Sequence, residues 1–235
     1  WDLPLRVFHW ALVASFAGAY LLAESERQRE IHTMFGYTVL GLVAFRLVWG
    51  FVGTRYARFA SFLHGPSATL RYLRSLASGR PDHHLGHNPA GSWAIWAILG
   101  LAAATGLTGY LTYNDLGGEI VEELHEGMAN AWLVVVFVHV AGEIVSSVLH
   151  RGNLARAMVS GYKQAAGSDA TETVPSRRVI GVLGALAVGG FWVVSLLAGG
   201  ATGATGARGA DDASTADGAD SRQFSMAGER DDDDD

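Results

Sequence analysis

Five stretches of mostly apolar residues divide the chain, and each is long enough to cross a lipid bilayer as a helix. A hydrocarbon core of about 30 Å needs roughly 20 such residues. The pattern therefore predicts an all-α membrane protein with five transmembrane helices. The predicted spans are Leu5–Leu22, Ile31–Val52, Trp93–Tyr113, Ala129–Leu149 and Val179–Ala198.

The polar segments between these spans differ in charge, and this difference predicts their sides of the membrane. Residues 53–91 contain five arginines, and residues 150–178 contain five lysines or arginines, whereas residues 114–128 contain five acids and no basic residue. Because basic loops stay in the cytoplasm, the N-terminus is expected inside and the C-terminal tail outside a bacterial inner membrane. Ala68–Leu76, in the first basic loop, is expected to form a short amphipathic helix at the membrane surface.

Composition sharpens this picture and excludes several classes of protein. Of the 235 residues, 49% are hydrophobic and 17% are charged, and the chain contains no cysteine. Disulfide scaffolds, cysteine-ligated metals and covalently attached haem are therefore excluded. The sequence has no dense basic patch of the kind that would indicate nucleic-acid binding. The net charge of -6 belongs to residues 200–235, which hold ten acids and three arginines and are expected to be disordered.

Four histidines lie on the predicted spans or at their ends, where an ionisable side chain is costly and marks a functional site. His125 and His139 are 14 residues apart, which places them about 21 Å apart on one face of a helix. The predicted orientation puts His32 at the depth of His125, near the outer surface. It puts His9 at the depth of His139, on the inner side. Two stacked pairs of imidazoles are therefore expected.

Two imidazoles fill both axial positions of a haem iron, an arrangement that favours electron transfer, and helical bundles hold such cofactors between inward-facing side chains. We therefore expect two b-type haems. A metal-only site is the competing interpretation. Arg46 lies 14 residues after His32; it could pair with a haem propionate or extend to the lipid headgroups. Arg6, one turn before His9, is open to the same two interpretations.

Several sequence motifs carry a family resemblance over about residues 1–165. They are Trp1–Trp10 (WDLPLRVFHW), His32-x-x-x-Gly36-Tyr37, Phe45-Arg46-Leu47-x-Trp49-Gly50, Leu85-Gly86-His87-Asn88-Pro89-Ala90-Gly91, and Leu124-His125 followed by His139 and His150-Arg151-x-Asn153-Leu154. In this order they resemble the bacterial b-type cytochromes of the cytochrome b561 and nickel–iron hydrogenase cytochrome b subunit family. The resemblance implies that His9, His32, His125 and His139 are the axial haem ligands.

The resemblance also implies electron transfer between the membrane quinone pool and a periplasmic partner, such as a c-type cytochrome or a redox enzyme subunit. A bound quinone is a further candidate ligand. The expected organisation is a four-helix di-haem domain (1–165), a cytoplasmic linker (166–178), a fifth transmembrane helix (179–198) and an acidic tail (199–235).

Two other kinds of function stay open from the sequence. One is a subunit of a quinone-linked oxidoreductase with catalytic activity of its own, although no catalytic residue stands out. The other is a non-redox transporter or membrane anchor that uses the intramembrane histidines as proton relays. Such transporters are typically built from broken helices or repeated halves, and the sequence shows neither.

Overall fold

The computed structural model describes residues 1–78, 88–149, 154–161 and 175–198, and these ranges are helical without β-strands. The predicted acidic tail and most of the predicted linker lie outside the described residues. Trp1–Gly189 form one compact unit, which contains the site described below. The helices are α1 (Leu3–Leu21), α2 (Arg29–Val52), α3 (Pro66–Ala77), α4 (Pro89–Tyr113), α5 (Gly118–Leu149), α6 (Leu154–Ser160) and α7 (Arg178–Ala198).

Four helical segments are long and apolar enough to cross a membrane by length and composition. They are Glu26–Val52, which is α2 with the turn before it, and the helices α4, α5 and α7. The all-α membrane fold is confirmed in this form. The shorter α1, with Arg6 and His9 near its start, does not belong to this set, so the count of five spans stays a prediction.

Local sequence signals explain where several helices begin. The Asp2 carboxylate accepts the backbone N–H of Leu5 at 2.8 Å ahead of α1, and the Asn88 side chain accepts that of Gly91 at 2.6 Å ahead of α4. Each cap is followed by a proline in the first turn, where its missing N–H costs nothing. These two caps mark the N-terminal ends of α1 and α4, which are predicted to lie on the cytoplasmic side of the membrane.

Helix α5, which corresponds to the fourth predicted span, begins eleven residues earlier than the apolar pattern predicted, at Gly118 instead of Ala129. The apolar pattern stops where glutamates begin, but acidic side chains near a helix N-terminus interact favourably with its dipole, so the helix continues beyond the apolar segment. The turn before it places Asp115, Gly117 and Gly118 at positive φ. His125 consequently lies within a regular helix and not in a loop.

The bundle is built from neighbours that pack side by side: α1 with α2, α2 with α4, and α4 with α5. Among the described residues, α5 reaches α1 through long side chains rather than close backbone packing. The rings of Phe16 and Trp132 have centroids 4.3 Å apart, and the Tyr20 hydroxyl donates to Asn130 Oδ1 at 2.8 Å. The interior between α5 and the first two helices is therefore lined by side chains and not filled by backbone.

The short helix predicted at Ala68–Leu76 is present as α3, which packs against α4, and its place at the membrane surface stays a prediction. Its Tyr72 is buried, and the Tyr72 hydroxyl is 3.1 Å from Ser146 Oγ on α5. Leu70 and Leu73 remain about half-exposed on the same short helix. This arrangement suits a helix that lies along a membrane surface.

One end of the unit gathers the start of α1, the end of α6 and the residues before α7. The Leu3 N–H donates to the Ser176 carbonyl at 3.1 Å, and the Trp10 indole N–H donates to the Met158 carbonyl at 3.3 Å. Helices α1 and α7 therefore begin at the same end of the unit.

Candidate functional site

His32 on α2 and His125 on α5 face each other, with ring centroids 6.1 Å apart and ring planes at 81°. Metal–imidazole bonds are about 2.0 Å long, so two imidazoles on opposite sides of one metal ion have ring centres about 6 Å apart. This pair, predicted from helix depth alone, is brought together by the fold. We refer to it as the His32–His125 pair.

The backbone fixes the orientation and the tautomer of both rings in this pair. His32 Nδ1 donates to the Ala19 carbonyl at 2.8 Å, and His125 Nδ1 donates to the Thr105 carbonyl at 3.0 Å. A ring whose Nδ1 carries the proton presents the lone pair of Nε2. Metal-binding histidines usually have this second hydrogen bond. Both rings are therefore held in the form that an axial ligand requires.

A cleft of about 350 Å³ opens beside the pair and is lined by His32 and His125 together with Thr33, Gly109 and Tyr113. This volume lies within the range of about 300–1,000 Å³ that is typical of cofactor and ligand sites. The rim is mostly acidic, with Glu26, Asp115 and Glu122 against a single Arg29.

Gly109 on α4 allows the His125 ring to lie close to the helix backbone. A Cβ atom at this position would lie 2.8 Å from His125 Cε1, a distance too short for an unstrained contact. Since the ring is also held by the Thr105 carbonyl, it has little freedom to move away. Gly109 is thus part of the support of the histidine.

His9 on α1 and His139 on α5 form the second predicted pair, and they lie close enough for their charges to interact. We refer to them as the His9–His139 pair. His9 Nδ1 is buried and has no hydrogen-bond partner within the described part of the chain. Leaving a buried ring nitrogen unpaired costs roughly 1–3 kcal/mol. An interior group that engages this ring would remove that cost.

Arg46 lies at the same end of the bundle and is only 2% exposed, so it does not extend to the surface. Its guanidinium donates to the Ala57 carbonyl at 2.9 Å and lies 4.9 Å from the ring centre of Phe59. It also interacts with the charge of Asp2. A buried arginine needs an anionic partner, and among the described residues no ion pair or hydrogen bond joins Arg46 to a carboxylate. A propionate contact for Arg46 stays a prediction.

Asp2, for which the sequence suggested no functional role, is the centre of a buried hydrogen-bond network with Trp49 and Thr54. It is buried, and its Oδ2 accepts the Trp49 indole N–H at 3.1 Å and the Thr54 hydroxyl at 2.6 Å. A signal was present in the sequence, because Asp followed by a proline in the next turn is typical of a helix start. Its role in holding α2 against α1 follows only from the packing.

Arg6 has protein partners of a different kind. Its guanidinium donates to the carbonyl groups of Met158 and Val159 in the last turn of α6. A cation at this place interacts favourably with the negative end of the helix. A haem propionate contact for Arg6 stays a prediction. It would require the guanidinium to bind a propionate in addition to the carbonyl groups at the end of α6.

The residues present fit a haem better than a bare metal ion. The His32–His125 pair has the separation, tautomer and adjoining cleft that a planar, doubly ligated group requires. Within the described residues, no group of three or more histidine or acidic side chains is arranged to hold a metal ion. Two imidazoles alone make an incomplete set for zinc, which takes three or four protein ligands.

A family model for the prokaryotic cytochrome b561 matches residues 1–161. The chain belongs to the prokaryotic cytochrome b561 family. It is accordingly a multi-pass membrane b-type cytochrome, an electron-transfer protein whose cofactor is haem b. The family resemblance noted in the sequence is confirmed, and haem is confirmed over the metal-only interpretation as the kind of cofactor.

Curated relatives of this cytochrome b561 family member include two proteins that match over 69% of its length. The "Probable Ni/Fe-hydrogenase 1 B-type cytochrome subunit" of Escherichia coli (strain K12) is 23% identical over 209 residues, which cover 88% of that protein. The "Probable Ni/Fe-hydrogenase B-type cytochrome subunit" of Cupriavidus necator is 23% identical over 214 residues, which cover 85% of it. No solved structure matches the chain.

Proposed function

We propose that this cytochrome carries two haem b groups and transfers electrons between the quinone pool and a redox protein on the outer side of a bacterial inner membrane. The axial ligands are His32 with His125 for one haem and His9 with His139 for the other. The observation that carries the proposal is the His32–His125 pair, because both rings are held with Nε2 free and 6.1 Å between their centres. Each bound haem supplies one-electron redox chemistry.

The protein's own part in this function is to hold the imidazoles and to exclude water around them. The carbonyl groups of Ala19 and Thr105 orient the rings of the His32–His125 pair. Hydrogen bonds of this kind raise the basicity of the ligand and so stabilise the more highly charged state of a metal. The apolar residues between the helices lower the local polarity, which favours the less charged state.

The outer partner is a redox protein, and the names of the hydrogenase cytochrome subunits in Escherichia coli and Cupriavidus necator support a redox enzyme subunit in this role. A c-type cytochrome is the second candidate. The acidic rim formed by Glu26, Asp115 and Glu122 is exposed. Charges of one sign around a site attract a partner of the opposite sign and raise the association rate at low salt.

The quinone exchanges electrons at the other end of the bundle, near the His9–His139 pair. This assignment follows from the proposed orientation, in which the start of α1 and the basic segments lie inside. The linker at 166–178 and the tail at 199–235 complete the proposed organisation, with the tail on the outer, periplasmic side of the inner membrane.

Spectroscopy of the purified full-length protein in detergent tests the proposal. We expect a dithionite-reduced minus oxidised spectrum of low-spin b haem, with two haems per chain in an extraction assay that counts the haem released from a known amount of protein. Reduction by a quinol should follow without dithionite. One haem per chain would contradict the two-site proposal, and a spectrum that quinol leaves unchanged would contradict the quinone assignment.

The salt dependence of electron exchange tests the acidic rim. We expect the rate of exchange with a basic c-type cytochrome to fall between low and physiological ionic strength, because exposed charges are screened beyond about 8–10 Å. The variant Glu122→Gln should reduce the rate at low salt, and the matched control Glu143→Gln, which lies near the other end of α5, should not. A rate that does not depend on salt would contradict electrostatic attraction at this rim.

A further inference from the structure

One face of α5 carries a histidine, a tryptophan or a serine at every seventh position. His125, Trp132, His139 and Ser146 follow one another at intervals of seven residues. Seven residues advance about 10 Å along a helix and return to within about 20° of the same face. Trp132 therefore lies midway between the two histidines that we assign to different haems.

The neighbouring helices show the same spacing, so the middle of the bundle forms a layer of its own. Phe16 follows His9 by seven residues on α1, and Val39 follows His32 by seven residues on α2. Val39 and Trp132 are each 3% exposed, and Phe16 packs against the core. The histidine pairs are thus separated by a layer of packed side chains.

Trp132 is the largest member of this layer and bridges two helices that do not pack closely along their backbones. Its ring centroid lies 4.3 Å from that of Phe16, with the planes at 43°. The two rings fill the space between α1 and α5 at the level between the two histidine pairs. A smaller side chain at 132 would leave an unfilled volume at this level.

The indole N–H of Trp132 gives a second reason to look beyond ordinary core packing. It is buried without a hydrogen-bond partner in the described part of the chain. A buried donor without an acceptor costs roughly 1–3 kcal/mol, which phenylalanine would avoid. The position therefore holds a large, electron-rich ring at an energetic cost, although Phe16 shows that a phenylalanine packs well in the same layer.

We propose that Trp132 is a positioning residue for electron transfer between the two histidine pairs: its ring, packed on Phe16, is the medium that separates and connects the two haem sites. With haem held at both pairs, one electron would pass from one haem iron, which would be oxidised from ferrous to ferric, to the other, which would be reduced from ferric to ferrous. No bond forms or breaks, and no proton is required. The inference rests on the proposed two-haem function.

The test compares three variants of the full-length protein: Trp132→Leu, Trp132→Phe and the control Trp96→Leu. Trp96 packs on Phe59 and Phe62, away from the histidine face. For each variant we would measure the haem content, the two reduction potentials by redox titration, and the rate of intramolecular electron transfer after photochemical reduction. The haem content and the potentials show whether the two sites are intact, independently of the rate.

We expect Trp132→Leu to keep two low-spin haems but to transfer electrons between them roughly tenfold more slowly, because leucine leaves part of the space between the two sites without packed atoms. Trp132→Phe, which keeps a smaller aromatic ring, should slow the transfer less than Trp132→Leu does, and Trp96→Leu should not change it. A wild-type rate in Trp132→Leu would overturn the inference, as would a rate in Trp132→Phe as slow as that in Trp132→Leu. Fewer than two haems in the wild-type protein would instead overturn the proposed function.

If Trp132→Leu loses haem, the phenylalanine variant with its conserved ring decides the question. Trp132→Phe with two intact haems and a reduced rate supports the role of the tryptophan ring. Two intact haems with a wild-type rate contradict it. Potentials that stay unchanged while the rate falls distinguish an effect on coupling from a general disturbance of the haem sites.

Discussion

The His32–His125 pair and the His9–His139 pair use the same side chains on the same long helix α5, but the fold supports them differently. In the first pair, both Nδ1 atoms donate to backbone carbonyls, and the rings face each other beside a cleft. In the second pair, His9 Nδ1 is buried without a partner in the described residues. The polypeptide alone thus orients both rings of the first pair, whereas in the second pair Nδ1 of His9 lacks a hydrogen-bond partner among the described residues.

The surroundings of the two pairs differ as well. The first pair lies beneath an acidic, exposed rim, while the end of the bundle that holds His9 contains the buried side chains of Asp2, Trp49 and Arg46. A site beside an open charged rim suits exchange with a soluble protein. A site at an end with buried side chains suits exchange with a partner inside the membrane. The comparison supports different electron partners at the two ends.

Loss of a ligand is expected to have the largest effect and to separate the two pairs. His125→Ala should remove the haem of the first pair, and His139→Ala that of the second, so each variant should bind one haem per chain. The measurement is haem content together with the low-spin spectrum. His64→Ala, which changes a histidine bonded to Ser92 outside both pairs, is the control and should keep two haems.

The outcome of these variants bears directly on the ligand assignment. If His125→Ala and His139→Ala both kept two low-spin haems, the assignment would be wrong. If the double variant lacking both histidines still bound a low-spin haem, other residues would have to be the ligands.

A large effect on stability is expected at the buried Arg46. Arg46→Leu removes the guanidinium that donates to the Ala57 carbonyl and leaves this carbonyl without its donor, so it should lower the free energy of unfolding by about 1–3 kcal/mol. Thermal unfolding in detergent measures this loss. Arg71→Leu on the exposed side of α3 is the matched control and should change stability by no more than about 0.5 kcal/mol.

The double variant Asp2→Asn with Arg46→Leu sharpens the same prediction. The double variant should lose less stability than the sum of the two single variants, because the charges of the two side chains interact and their effects are not additive. Equal stability of Arg46→Leu and Arg71→Leu would show that Arg46 does not stabilise this end.

A smaller and more selective effect is expected at Gly109. Gly109→Ala places a Cβ 2.8 Å from His125 Cε1, so the ring must shift against its bond to Thr105. We expect a changed reduction potential and electron paramagnetic resonance signal for one haem, with the other unaffected. Gly100→Ala is the control, because a Cβ at that position meets nothing within 4 Å. Equal spectra for the two variants would contradict this close contact.

The smallest effect is expected at Ser146, the last of the four residues that follow one another at intervals of seven on α5. Tyr72→Phe removes the hydroxyl that bonds Ser146 and should cost about 0.5–1.5 kcal/mol of stability. The haem of the His32–His125 pair, at the far end of α5, should keep its spectrum and potential. If Tyr72→Phe shifted the reduction potentials of both haems by the same amount, α3 would support both histidine pairs and not only the His9–His139 pair.

The sequence predicted the long helices and both histidine pairs because an α-helix has a fixed rise and twist. Given the side of the membrane on which each helix begins, these constants place His32 level with His125, and the fold brings those rings together. The same constants place Trp132 between His125 and His139, so the seven-residue spacing is a signal for this residue that its chemistry, which includes no titratable group, does not give. The early start of α5 was missed because hydropathy marks the apolar segment and not the end of the helix.

The order of positions along each helix and the chemistry of the histidines therefore follow from the amino-acid sequence. The packing of the helices brings the Ala19 and Thr105 carbonyls to the two rings, places Gly109 against His125, and joins Asp2 to Trp49. These contacts join residues on different helices. Helical periodicity fixes each face, but the pairing of atoms between faces depends on how closely the helices pack, and that is a property of the whole fold.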